Sequence, residues 1–339
     1  MLYEPELLRF EDGRQVRSPE DWALRRREIL DILAREEYGR LPEKKPSALT
    51  FIDKNNHHYA GHGIEEKLEL TVQADRGEFT LPFTLIHPDG EGKHPLFLYI
   101  SFENAVYQHY MPTEYVLSRG YAVAILHYTA IASDDNDFTG GLAGLMNRPT
   151  DGTGWGKLSL WAWTLSRTLD RLIEREDIDS SNIAVIGHSR LGKTSLWCGA
   201  NDERIRFVCV NDSGCSGAAM ERGKNPDSET AEKIYRRFPF WFCENYQKHG
   251  FDVEHMPFDQ HMAIAACCPR YALVTSASLD DWADPASEKR ACEGALPAWS
   301  LFGRGQAEEG VAWFLRDGIH FLSLNDWRFF MDFIDAHKA

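Results

Sequence analysis

Ser189 stands in the run Gly187-His188-Ser189-Arg190-Leu191-Gly192-Lys193-Thr194. Before it, residues 183–186 are apolar and read as a buried strand; after it, residues 194–200 read as the first turns of a helix. A serine on a sharp strand-to-helix turn is held out at the top of a sheet, where it can act as a nucleophile. The N-terminus of the new helix favours negative charge developing beside it. Free serine is a poor nucleophile and needs a histidine base, itself held in the correct tautomer by a carboxylate. The chain supplies both kinds of residue downstream, with Asp212, Asp280, Asp281 and Asp284 first and His320 last.

The same run admits a second reading. Gly187 to Thr194 is formally G-x-x-x-x-G-K-T, the pattern of a phosphate-cradling loop. Such a loop normally follows the first strand of its domain, whereas this one lies past the middle of the chain. Its Mg²⁺-holding aspartate would have to be Asp212. The order serine, acid, histidine favours an α/β-hydrolase instead. One departure stands out: the usual turn is G-x-S-x-G, and here Leu191 occupies the second glycine position, with Gly192 one residue later. Small residues let strand and helix approach closely, so Leu191 must be accommodated in some other way.

The surrounding elements suit that fold. Ser18 as N-cap, Pro19 at N1 and apolar residues at helical spacing predict an N-terminal helix over residues 18–36. Residues 67–73 and 79–87 read as antiparallel edge strands. Short apolar runs at 95–101, 121–127, 183–186, 207–210, 271–276 and 311–315 suit strands buried on both faces. Helical patterns at 155–175, 257–267 and 326–337 alternate with them. Alternation of this kind predicts a doubly wound, mostly parallel sheet flanked by helices, a three-layer sandwich. With no linker or repeat evident, residues 1–339 read as one domain with an N-terminal helical extension over about 1–60.

A net charge of −15 argues against nucleic acid or an anionic membrane surface as partner. It also means that any uronate substrate must meet local positive charge, which Arg190 and Lys193 could supply. Seven cysteines, an odd number without a C-x-x-C pair, suggest neither a disulfide framework nor a zinc site. Residues 1–6 lack a basic region and an apolar core, and no apolar run reaches the ~18 residues of a membrane span, so a cytoplasmic protein is expected. The acidic run Asp134-Asp135-Asn136-Asp137 lacks the glycine and final glutamate of a calcium loop and reads as solvated.

His320 follows the last predicted strand and precedes the last helix, where this fold carries its base. His127, His255 and His261 are less well placed, and His188 should turn its side chain away from Ser189. The acid usually follows the strand before the histidine, which selects Asp280, with Asp281 and Asp284 as neighbours. The N–H after the nucleophile, that of Arg190, would help hold an oxyanion. A second donor is expected from Phe102-Glu103-Asn104. Lys193, one helical turn beyond Ser189, can face the same pocket.

Gly187-x-Ser189-Arg190-x-Gly192-Lys193 resembles the G-x-S-R-x-G-K motif of the glucuronoyl esterases of carbohydrate esterase family 15, whose bacterial relatives are often labelled acetylxylan esterases. The resemblance runs through Glu37-Tyr38-Gly39-Arg40-Leu41-Pro42, Asn211-Asp212-Ser213-Gly214-Cys215-Ser216-Gly217, Met256-Pro257-Phe258-Asp259-Gln260-His261-Met262, Ala266-Cys267-Cys268-Pro269-Arg270, Asp280-Asp281-Trp282-Ala283-Asp284-Pro285 and Arg316-Asp317-Gly318-Ile319-His320, nearly the whole chain. It implies a serine esterase of carbohydrate esters that needs no cofactor or metal. It adds Asp212 as an alternative triad acid, at a position that is often Glu in the family. It also implies an oxyanion contact from the Arg190 side chain, sugar-hydroxyl contacts from Lys193 and Glu244, and a pyranose-facing Trp282. A glutamine expected upstream is replaced by the region Tyr235-Arg236-Arg237, which leaves the sugar open. The expected substrate is a glucuronoyl ester, with an acetylated xylo-oligosaccharide as the alternative. A peptidase or amidase, or a non-catalytic sugar-binding fold, are the readings of another class.

Overall fold

The computed structural model describes residues 5–55, 63–306 and 308–339. Among the described residues, nine strands form one sheet in the order β1-β2-β3-β5-β4-β6-β7-β8-β9. They are β1 (Ser47–Asn55), β2 (Gly63–Ala74), β3 (Gly77–Pro88), β4 (His94–Ser101), β5 (Ala122–His127), β6 (Ile178–His188), β7 (Phe207–Asn211), β8 (Tyr271–Ala277) and β9 (Val311–Arg316). The first three and β5 pair antiparallel, and from β5 through β4 to β9 every pairing is parallel. The helices are α1 (Pro19–Glu36), α2 (Thr113–Ser118), α3 (Tyr128–Ile131), α4 (Gly141–Leu145), α5 (Lys157–Leu172), α6 (Arg190–Asn201), α7 (Ala231–Arg237), α8 (Tyr246–Gly250), α9 (Gln260–Ala265), α10 (Pro285–Ser300) and α11 (Leu324–His337).

Successive side chains of a strand point to opposite faces, so a strand buried on both sides feeds two apolar layers. In β4, Leu96, Leu98 and Ile100 join Trp161 and Leu165 of α5 and Trp197 of α6. Phe97 and Tyr99 of the same strand join Trp327, Phe330 and Met331 of α11. The sheet is thus the middle of three layers, as expected. Its parallel strands end on one edge, and the loops leaving that edge carry the chemistry. Ser18 caps α1 by accepting from the Asp21 N–H at 3.2 Å. The start of α11 closes a capping box between Ser323 and Asp326. All seven cysteines are free thiols buried in these layers.

Two readings need correction. The stretch 1–60 is not simply a helical extension: after α1, β1 pairs antiparallel with β2 and extends the sheet. That places β2 inside the sheet and leaves β1 on the edge. Residues 1–4 and 56–60 of that stretch lie outside the described residues. The helix expected over 257–267 is confined to α9, because Asp259 caps its start by accepting from the Gln260 N–H.

Candidate active site

Strand β6 ends at His188 and α6 begins at Arg190, so the turn between them is Ser189 alone, at φ 58° and ψ −127°. A non-glycine residue held there stores about 1–3 kcal/mol of strain and persists only where its surroundings dictate it. They do: the Ser189 N–H donates to the Asn211 carbonyl at 2.9 Å, and its own carbonyl accepts from Gly192 at 2.8 Å and Lys193 at 3.2 Å. A Cβ on Gly187 would lie 2.1 Å from the Leu191 carbonyl oxygen, and one on Gly192 would lie 3.0 Å from Ser213 Cβ. The close approach is therefore made at Gly187, with Gly192 as the second contact. Leu191 turns into the apolar layer and is fully buried, which resolves the missing glycine. A turn of one residue is not the extended loop that cradles phosphates, and the nucleotide reading is set aside.

The loops after β8 and β9 bring Asp280 and His320 together, with Nδ1 of His320 2.5 Å from Oδ2 of Asp280. Asp280 is buried whereas His320 is open to the cleft. Asp212, just past β7 and at φ 41°, joins them. One ligating atom from each of the three lies within 4.8 Å of the others. Asp212 is engaged elsewhere: it accepts from the Ala277 N–H at 2.7 Å, Arg316 Nη2 at 3.1 Å and the Phe321 N–H at 3.3 Å. Burial, then Glu288, push its pKa up to about 8 against the pull of Arg316. His188 packs its ring 4.4 Å from that of His320 and shares a 2.5 Å hydrogen bond with Asn211 Oδ1. Burial, with His320 beside it, lowers its pKa to about 3, so it stays neutral.

A cleft of about 190 Å³ is lined by Ser189, His320, Asp212, Arg190, Lys193 and Trp282, and also by Glu229, Arg237, Phe238 and Trp241. The Arg190 guanidinium pairs with Asp134 and lies 4.7 Å over the Trp241 ring. As first residue of α6, Arg190 also has a backbone N–H with no partner one turn back. Lys193 is buried, donates to the Ser213 carbonyl and stands 3.9 Å from Glu229. Trp282 is 46% exposed, and Lys233 Nζ lies 5.2 Å from its ring.

Glu244 is not brought to this cleft: its side chain is 66% exposed and faces Arg148 at 3.8 Å. Glu229 is the carboxylate that meets Lys193. It sits in a stretch between β7 and α7 with no periodic pattern, so only the tertiary contact reveals it. Of the loop 102–104, Phe102 lies beside the cleft, its ring 5.8 Å from the Arg190 guanidinium carbon, while the Glu103 N–H is spent on Ser101 Oγ at 3.1 Å. Asp134 is not solvated, unlike Asp135 and Asp137, which are bound within their own loop.

A buried carboxylate and an open histidine on the loops after β8 and β9, beside a strained serine at a helix N-terminus, make this chain an α/β-hydrolase. Within that class, residues 70–303 match the family described as glucuronyl esterase, fungi, and the chain belongs to that family, carbohydrate esterase family 15. It is a carboxylic ester hydrolase acting on small carbohydrate esters. A carbohydrate esterase of an unknown prokaryotic organism is 29% identical over 99% of this chain and 89% of its own length. A 4-O-methyl-glucuronoyl methylesterase of Phanerochaete carnosa is 24% identical over 88% of this chain and 72% of its own. Among solved structures, the glucuronoyl esterase from Solibacter usitatus superposes with a TM-score of 0.89 at 28% identity, covering 99% of this chain and 98% of that one. A promiscuous family 15 esterase from a marine bacterial metagenome gives 0.87 at 28%, covering 99% and 97%. No helix among the described residues is long and apolar enough to cross a membrane.

Proposed function

We propose that this esterase hydrolyses glucuronoyl esters, with the sugar on the acyl side, and that Ser189, His320 and Asp280 are its triad. The observation that carries the reading is the 2.5 Å bond from Asp280 to Nδ1 of His320, in the cleft that Ser189 also lines. That bond holds the proton on Nδ1 and leaves Nε2 free as base. His320 takes the hydroxyl proton as Ser189 Oγ attacks the ester carbonyl. The Arg190 N–H and guanidinium stabilise the oxyanion. The alcohol leaves with the proton from His320. Water, deprotonated by His320 in turn, then attacks the acyl-serine, and the free acid departs with Ser189 restored. Lys193 with Glu229 would bind sugar hydroxyls, and the half-exposed Trp282 would offer a flat apolar face to the pyranose ring. Relatives named 4-O-methyl-glucuronoyl methylesterase support the choice of acyl group.

The test is hydrolysis of a benzyl glucuronate ester and an acetylated xylo-oligosaccharide by wild type and Ser189→Ala. Serine-dependent release of benzyl alcohol is expected. Release of acetate alone would move the assignment to an acetylxylan-type esterase in xylan breakdown. Turnover of neither would send the search to amides and other esters.

A further inference from the structure

We propose that Asp134 is a positioning residue for the reaction, fixing the Arg190 guanidinium in the pose from which it meets the oxyanion. The inference rests on the role proposed above for Arg190.

Arginine carries a long, flexible side chain, and a cation that wanders stabilises no particular geometry. Here the side chain is held from two sides. On one, the Asp134 carboxylate, only 13% exposed, pairs with Arg190 Nη1. On the other, the guanidinium carbon lies 4.7 Å over Trp241 and 5.3 Å over Phe238, rings stacked at 3.9 Å and 6°. The carboxylate is itself anchored. Its Oδ1 accepts from the Trp241 indole N–H at 2.7 Å, and its Oδ2 accepts from the Tyr128 hydroxyl at 3.3 Å. The loop carrying Asp134 is pinned by buried Lys157, whose Nζ donates to the Asp137 carbonyl at 2.6 Å. Trp241 thus serves twice, as a ring beneath the cation and as a donor to its counter-ion. This arrangement locks one orientation of the fork.

That orientation leaves a donor unused. Arg190 Nε is buried and has no hydrogen-bond partner among the described residues. The side chain as a whole is 28% exposed and lines the cleft, so substrate can approach the fork from its open side. Asp134 therefore occupies one end of the guanidinium and keeps the rest directed to the cleft. It also offsets the arginine charge, so that a proton arriving on His320 does not meet a bare cation.

The experiment measures kcat and KM on a benzyl glucuronate ester for wild type, Asp134→Asn, Asp134→Glu, Arg190→Ala and the double variant Asp134→Asn/Arg190→Ala. Arg190→Ala is expected to lower kcat by about 10²–10³, the effect of losing one oxyanion donor. Asp134→Asn is expected to lower kcat by about 10², the scale of a small misplacement, with KM nearly unchanged. Asp134→Glu restores part of the loss, and the double variant is no slower than Arg190→Ala alone. Should Asp134→Asn fold poorly, Trp241→Phe removes the anchoring indole N–H while keeping a ring under the cation, and Arg190→Ala masks its loss in the same way. Losses that multiply in the double variant, or an Asp134→Asn enzyme at wild-type rate beside a slow Arg190→Ala, overturn the positioning role and leave that of Arg190 standing. An Arg190→Ala enzyme at wild-type rate overturns both.

Discussion

Replacing Asp280 by Asn keeps the shape of the side chain and removes the charge, and the local geometry dictates the outcome. In the native site Oδ2 faces Nδ1 of His320 at 2.5 Å, and Oδ1 accepts from the Ala283 N–H at 3.2 Å. An Asn side chain has one oxygen for these two donors. With its oxygen toward His320, its NH₂ meets the Ala283 N–H, donor against donor. That N–H still has the Asp280 carbonyl at 3.1 Å, so the cost of this orientation is the donor-against-donor contact rather than an unpaired group. The preferred orientation therefore turns the NH₂ toward Nδ1. The imidazole then accepts at Nδ1 and carries its proton on Nε2, where it cannot receive the serine proton. A triad locked in the wrong tautomer loses about 10⁴ in kcat, or about 5 kcal/mol of transition-state stabilisation. The assay is kcat for Asp280→Asn and Asp212→Asn on a glucuronate ester, with thermal melts to verify folding. Asp212 makes no such bond to His320, so its substitution should be far milder in kcat. If Asp280→Asn stays within tenfold of wild type while Asp212→Asn falls by orders of magnitude, the tautomer argument is refuted and Asp212 is the orienting acid.

Gly187→Ala should destabilise the fold by about 3 kcal/mol, since its Cβ would meet the Leu191 carbonyl at 2.1 Å and only backbone movement relieves that clash; a urea titration measures the shift. Asp259→Ala should lose about 3–5 kcal/mol, because it strands the Arg222 guanidinium, 3.2 Å away with both side chains fully buried, again read from the denaturation midpoint. For Asp212, an ordinary value of 3.8 when unfolded and about 8 when folded means that the folded state keeps the proton longer. Its contribution is therefore complete at low pH and lost as pH rises from 3.8 toward 8. Urea midpoints at acidic and alkaline pH should show wild type losing more over this window than Asp212→Asn.

The parallel strands were legible because strands buried on both faces are continuous apolar runs, and β4 and β6 announce themselves that way. β1 has no such signal: it is an exposed edge strand, its sequence Ser47-Ala48-Leu49-Thr50-Phe51-Ile52-Asp53-Lys54-Asn55 being mostly exposed, and only pairing with β2 makes it a strand. α10 was missed for a different reason: its buried face is built from small residues such as Ala291, Cys292 and Ala295, with Pro297 inside the helix, so periodicity is faint. In the candidate site, the meeting of Asp280 and His320 beside the cleft that Ser189 lines was foreseeable because each of the three follows the end of a strand, where local pattern and chain order agree. Glu229 and Asp134 were not, because a residue in an irregular segment is placed by contacts more than 30 residues away. Glu244 failed for the same reason in reverse: resemblance in sequence could not fix where the segment between β7 and β8 folds back.

The seven buried thiols give the molecule a built-in reporter of its own opening. Each is held in its protonated form by burial, Cys198 with a pKa pushed up to about 12 and Cys267 to about 11. The reactive species is the thiolate, so a thiol reagent has almost nothing to attack until a segment opens. The cysteines are spread over distinct elements, Cys198 in α6, Cys209 in β7, Cys215 and Cys243 in the segments around the cleft, Cys267 and Cys268 after α9, and Cys292 in α10. Labelling followed site by site would therefore record a sequence of local openings. Thiols beside the cleft would react first if the cleft segments open alone, and all seven would react together if the sheet and its layers part only as one unit.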